Sequence, residues 1–138
     1  MYLIGFPLLV VPFAIYNIIA FLMPGWNWTD QIASVHLISG QDWSVTTEDV
    51  LLTFSILLLA VEVMKATRVG LRSMIDHILS LVLFIVMLVE FLLVKQAGTS
   101  TFFILMVISL VDVMSGFVVS IRSAQRDIAV DSAERLTP

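Results

Sequence analysis

Three carboxylates interrupt long apolar runs of this chain: Glu62, Glu90 and Asp112. An acid at the centre of a membrane helix costs about 2.5–3.5 kcal/mol on insertion scales, so such a residue faces a bundle interior or a water-filled cavity, protonated or paired. The chemistry open to it there is holding a proton or a cation. By helical rise, Glu62 lies about 18 Å and Asp112 about 15 Å below the outer starts of their helices. The two acids meet if those helices touch, and two carboxyls side by side in a low dielectric share a proton rather than both ionising. Glu62, Asp112 and Glu90 are therefore the candidate proton or ion site. For Glu62 there is also a structural reading, an i, i+3 pair with Lys65 whose stem snorkels to the surface. Glu90 lies about 6 Å below the outer end of its helix, level with Tyr16 and Asn17 of the first run. A hydrogen bond from either would join two helices with about 0.6 kcal/mol. Glu90 could equally reach Lys95 or the wet interface.

Asp112 has no basic neighbour in its own helix. Ser109, Asp112, Gly116 and Val119 fall on one stripe at helical spacing, which makes that face small and polar. Gly116 and Ser120 form a small-xxx-small pair suited to close contact, and with Asn17 and Ser109 they are the expected helix-packing residues. Asp76, Ser80, Met87 and Glu90 make a comparable stripe on the preceding helix. No catalytic constellation accompanies these faces. The chain has no cysteine, which excludes a disulfide framework, a thiolate metal site and a cysteine nucleophile. His36 and His77 lie in different regions and do not combine into a zinc or haem site, and the methionines read as adaptable packing. No metal, no cofactor and no enzymatic activity are expected.

The elements that must position these residues follow from composition. Of 138 residues, 59% are hydrophobic and 13% charged, with a mean hydropathy of +1.04. Soluble domains are about half apolar and about a quarter charged, so the balance is that of a membrane protein with a single domain, residues 1–138. The net charge of −4 gives no basis for nucleic-acid binding. Crossing a hydrocarbon core of about 30 Å takes about 20 helical residues, and four runs meet that length: about 2–23, 50–67, 75–94 and 102–121. The expected fold is all-α, a polytopic four-transmembrane-helix bundle, with an outer loop 24–49 and a tail 122–138. The first run lacks the basic n-region and cleavage site of a secretory signal and reads as a retained helix bent at Pro12. Lys65, Arg68 and Arg72 flank the middle connection, Arg122, Arg126 and Arg135 lie in the tail, and only Lys95 lies in the other short loop. The positive-inside rule then places both termini in the cytoplasm.

Trp26, Trp28 and Trp43 all lie in the outer loop and read as interfacial anchors. Ser34–Ser39 and Trp43–Thr46 read as two extended pieces around a turn at Gly40-Gln41-Asp42, with His36 structural. Asn27-Trp28-Thr29 matches a glycosylation acceptor but lies too near the bilayer to be more than a chance match. Thr46-Thr47-Glu48-Asp49 supplies a cap and acids for the start of the second helix. The tail should prolong the fourth helix by two or three turns, fraying over Ala133–Pro138. Arg122 and Arg126 share one of its faces, within reach of lipid headgroups.

Asp76-His77, Val89-Glu90-Phe91, Gly98-Thr99-Ser100, and Val111-Asp112 followed by Gly116-Phe117 and Ile121-Arg122 together resemble an uncharacterised family of small four-helix inner-membrane proteins from proteobacteria. The resemblance covers the last three helices and implies a multi-pass protein of the bacterial inner membrane, with no known activity. Small multidrug transporters share the helix count, but their essential glutamate lies in the first helix, where this chain has no acid. The functional expectation is a non-enzymatic accessory or scaffolding subunit, or a homo-oligomer, with the lipid bilayer and a larger membrane complex as partners. The alternative is a proton- or cation-coupled small transporter or channel built on the membrane carboxylates.

Overall fold

A computed structural model describes residues 6–67 and 71–136, without the side chain of Arg72. The chain runs through α1 (Val10–Leu22), β1 (Gln31–His36), β2 (Asp42–Thr46), α2 (Thr47–Ala66), α3 (Leu71–Leu93) and α4 (Ser100–Leu136), with a 3-10 turn at Lys95–Ala97. The helices run alternately up and down. The β-hairpin and the Lys95–Ala97 turn lie at one end of the bundle, called here the hairpin end. The end of α2 and the start of α3 lie at the other; residues 68–70, with Arg68, are outside the description.

β2 passes directly into α2 through a capping box. The Asp49 N–H donates to Thr46 Oγ1 at 3.2 Å, and the Thr46 N–H donates to Asp49 Oδ2 at 2.9 Å. Two donors left free by the first helical turn are satisfied in this way, with acids at the positive end of the helix. The hairpin forms where two extended pieces were expected, but its first strand starts three residues earlier. Val35 pairs with Trp43 and His36 with Asp42. The turn occupies Leu37–Gln41, closed by the Leu37 N–H on the Gln41 carbonyl at 2.9 Å. Gly40, at φ +89°, takes the left-handed conformation near its end, which a residue with a Cβ adopts only at a cost. Asp42 therefore belongs to the strand, and it holds the exposed His36 ring at 2.6 Å.

The first helix is shorter than its apolar run. It starts at Val10, so Pro12 is its third residue. An N–H at that position has no intrahelical partner, so the proline removes no hydrogen bond and the expected bend has no cause. Residues 2–5 of the expected span lie outside the described residues. α3 begins a turn before the expected Ile75. α4 is a single helix of 37 residues, about 55 Å long, and it continues about four turns past Ile121 rather than two or three. Thr137 and Pro138 lie outside the described residues.

The aromatic core sits toward the hairpin end. Tyr16 of α1 is fully buried, stacked on Trp28 at 4.7 Å and edge-on to Phe102 at 5.0 Å. Phe91 of α3 stacks on the same Phe102 at 6.3 Å. The Tyr16 hydroxyl donates to the Gln96 carbonyl at 2.8 Å and shares a hydrogen bond with the Thr99 hydroxyl at 2.7 Å, which fastens α1 to the α3–α4 connection. The exposed surface of the helices up to Ile121 is mostly apolar. Two helices are long and apolar enough to cross a membrane, α3 over Ser73–Leu93 and α4. α1, with 13 residues, spans about 20 Å, and the apolar run of α2 is bounded by Glu48 and Asp49 and broken by Glu62 and Lys65. The neighbouring hydroxyls Thr46 and Thr47 separate capping from mere presence, because Thr47 Oγ1 is buried without a partner among the described residues. Thr46→Ala should lower stability by about 1 kcal/mol, whereas Thr47→Ala should be neutral or slightly stabilising, measured by denaturant unfolding of the detergent-solubilised protein.

Candidate functional site

At the end of the bundle away from the hairpin, α2, α3 and α4 enclose an acidic cleft of about 270 Å³. Its organising group is the ammonium of Lys65, whose side chain is 10% exposed. Lys65 Nζ donates to Glu62 Oε1 at 3.1 Å on its own helix, contacts Asp76 Oδ2 of α3 at 3.2 Å, and donates to the Phe6 carbonyl at 2.8 Å. The Leu8 N–H also donates to Glu62 Oε1, at 2.6 Å. One lysine thus ties α2, α3 and the segment before α1 together. The i, i+3 pair of Glu62 and Lys65 forms, and Glu62 faces the cleft shared with Asp112 as well.

Asp112 of α4 lines the same cleft. Ser80 faces it from α3, and both Asp76 and Lys65 lie within electrostatic reach of Asp112 and of Glu62. Asp76 and Lys65 therefore stand electrically between the two acids. Glu62, Asp76 and Asp112 are 3%, 8% and 5% exposed. With all three ionised, one lysine leaves an excess of negative charge where water is scarce, a state that demands a further proton or cation. Asp76 Oδ1, Asp112 Oδ2 and His77 Nε2 are buried without a hydrogen-bond partner among the described residues.

Close helix contact builds the third wall. The small, polar faces of α3 and α4 turn toward each other, and the His77 ring lies directly on the backbone of Gly116. A Cβ placed on Gly116 would collide with His77 Nδ1 and stand 2.7 Å from Cε1. The same ring meets Phe117 edge-on at 4.6 Å. Ser109 is buried a turn beyond Asp112, and Ser120 lines the cleft while staying exposed. These faces, expected to pack on another helix, meet within one chain, and they also line the cleft.

Glu90 belongs to a different place, because it lies near the hairpin end of α3. Asn17 Nδ2 stands at 3.5 Å from Glu90 Oε2 but makes its shorter bond, 3.0 Å, to the Phe13 carbonyl. Tyr16 does not reach Glu90 by a hydrogen bond and serves the Gln96 carbonyl instead. Of the three tryptophans, Trp26 and Trp43 are 40% and 50% exposed, whereas Trp28 is 6% exposed. Trp28 departs from the expected interfacial anchor because its ring is stacked on Tyr16 inside the protein.

Sequence reasoning paired Lys65 only with Glu62 and placed Asp76 and Ser80 on a stripe without giving them a role; it left His77 at the edge. Their signal was the Asp76–Ser80 spacing, one helical turn, with His77 adjoining. Among the described residues no group of three His, Cys, Asp or Glu side chains is placed to hold a metal ion. Compared with family models, curated proteins and solved structures, the chain has no significant match.

Two substitutions test the geometry. Lys65→Met strands Glu62 and Asp76 without a counter-charge and should cost about 3–5 kcal/mol in unfolding measurements. Gly116→Ala should cost about 1–3 kcal/mol, and most of that loss should vanish in the Gly116→Ala/His77→Ala double variant, whose missing ring vacates the space; purely additive losses would show that the collision does not set the cost.

Proposed function

We propose that this chain is a multi-pass, non-enzymatic protein of a bacterial inner membrane, an accessory or scaffolding subunit that contacts its partner through the exposed, charged turns of α4 past Ile121. All four helices lie within the bilayer in this reading, both termini face the cytoplasm, and α1 and α2 are completed as spans by their neighbours and by local thinning of the lipid.

The observation that carries it is the change of character along α4. From Phe103 to Ile121, exposed positions include Ile104, Val107, Leu110, Val111, Met114, Phe117 and Val118. An apolar exposed surface of that extent on several helices exceeds what a soluble monomer carries, and in lipid it needs no cover. From Arg122 the helix continues equally exposed but charged, with Arg126, Asp127, Asp131 and Arg135. These turns extend an already nucleated helix but stand largely exposed, whereas tertiary packing supplies most helical stability. The Asp131–Arg135 pair at 3.0 Å adds only a few tenths of a kcal/mol. A docked partner supplies what is missing.

The cleft favours the alternative, a proton- or cation-coupled transporter using Glu62 and Asp112. Against it, the aromatic core around Tyr16, Trp28 and Phe102 fills the bundle toward the hairpin end, so a path across one copy is closed and a pathway would need several.

The absence of cysteine makes the topology test direct. Single cysteines at Ser39 in the hairpin turn and at Ser132 in α4 should react with an impermeant maleimide from opposite faces of sealed membrane vesicles; labelling of both from the same face overturns the placement. Native mass spectrometry of gently extracted protein should find a complex that is lost when Ile128 and Arg135 are both replaced by Ser. A monomer in every mild detergent and in nanodiscs overturns the subunit reading.

A further inference from the structure

We propose that the acidic cleft between α2, α3 and α4 binds a small organic cation, a protonated primary amine being the simplest form. Two of the acids that line the cleft already hold an ammonium group. Lys65 Nζ is held there by Glu62 Oε1, Asp76 Oδ2 and the Phe6 carbonyl at 3.1, 3.2 and 2.8 Å. Those contacts use one oxygen of each carboxylate. On the α3–α4 side two further carboxylate oxygens, Asp76 Oδ1 and Asp112 Oδ2, are buried with no donor among the described residues, and both residues line the cavity. A second ammonium between them satisfies these acceptors and offsets the excess negative charge in one step. Water donates hydrogen bonds but leaves the charge imbalance where it was.

Size argues for an organic cation over a bare one. A volume of about 270 Å³ is several times the roughly 30 Å³ that one water occupies in the liquid. Among the described residues the side chains do not gather into a metal-ligating group. Beside the acids, the wall carries Ala66, Met74 and Val119, which suit an alkyl or aryl body, the usual combination of apolar lining and a few placed polar groups. Entry is from the end that reaches Ser123 and Asp127, beyond the apolar stretch of α4. Asp127 at this mouth attracts a cation before it meets the buried acids.

The experiment uses the full chain in nanodiscs, titrated calorimetrically with benzylammonium, with ethylammonium and with sodium chloride at matched ionic strength. Saturable binding of benzylammonium is expected, at least tenfold tighter than any response to sodium. Asp112→Asn should weaken it at least tenfold and Asp127→Asn two- to threefold. Ser120→Trp, which fills the cleft while leaving every buried acid in place, should abolish it, so the proposal stays testable if Asp112→Asn does not fold. No benzylammonium binding by the intact chain, or equal affinity in the Asp112→Asn and Ser120→Trp proteins, overturns the proposal. Proton uptake on acidification with no amine binding at any pH would assign the missing positive charge to protons and overturn it as well.

Discussion

A buried ammonium has to be surrounded by acceptors, and the cleft end of this protein is arranged around that need. The side chain of Lys65 is only 10% exposed, so it recruits a carboxylate from its own helix, one from α3, and a backbone carbonyl from the segment before α1. Each partner then depends on the lysine in turn, since each acid would be stranded without it. Glu62 gains a further donor from the Leu8 amide, so the same contact fixes where α1 can begin. At this end the start of α1, its approach to α2, and the contact of α2 with α3 all draw on one charge in a place of low dielectric.

The opposite end is held by a neutral device of the same logic. Tyr16 brings a hydroxyl to a backbone carbonyl and a threonine in the α3–α4 connection, while its ring is stacked beneath Trp28 and against Phe102. Between helices that are apolar on most faces, apolar packing alone gives little orientation. Polar contacts at the two ends give the bundle its register, and the close seat of His77 on Gly116 sets the spacing of α3 and α4 at the cleft end.

These contacts were unequally visible in the sequence. The apolar runs announced α2, α3 and α4, because length and composition alone identify such helices, and Thr46 with Asp49 announced the start of α2. α1 was overextended, since Pro12 has opposite meanings at the third position of a helix and in its middle. The acids were conspicuous through the cost of placing them among apolar residues, which singled out Glu62 and Asp112 and also Glu90, though Glu90 lies apart from the others. What stayed hidden was rotational phase. A helix that is apolar nearly all round, as α2 is, has little amphipathic signal, so Lys65 was paired only within its own helix and the stripe that carries Asp76 was read without its partner. Tyr16 was hidden for a related reason: its partner is a backbone carbonyl, which any sequence possesses.

The continuity of α4 has a mechanical consequence. One uninterrupted rod passes the cleft at Asp112 and ends at Leu136, an arm of about 36 Å by helical rise. If such an arm pivots by about 5° at the cleft, its tip sweeps about 3 Å, comparable to the separation of a hydrogen-bonded pair. A change of a few degrees at the cleft is thereby converted into a displacement large enough to make or break a contact at the far end.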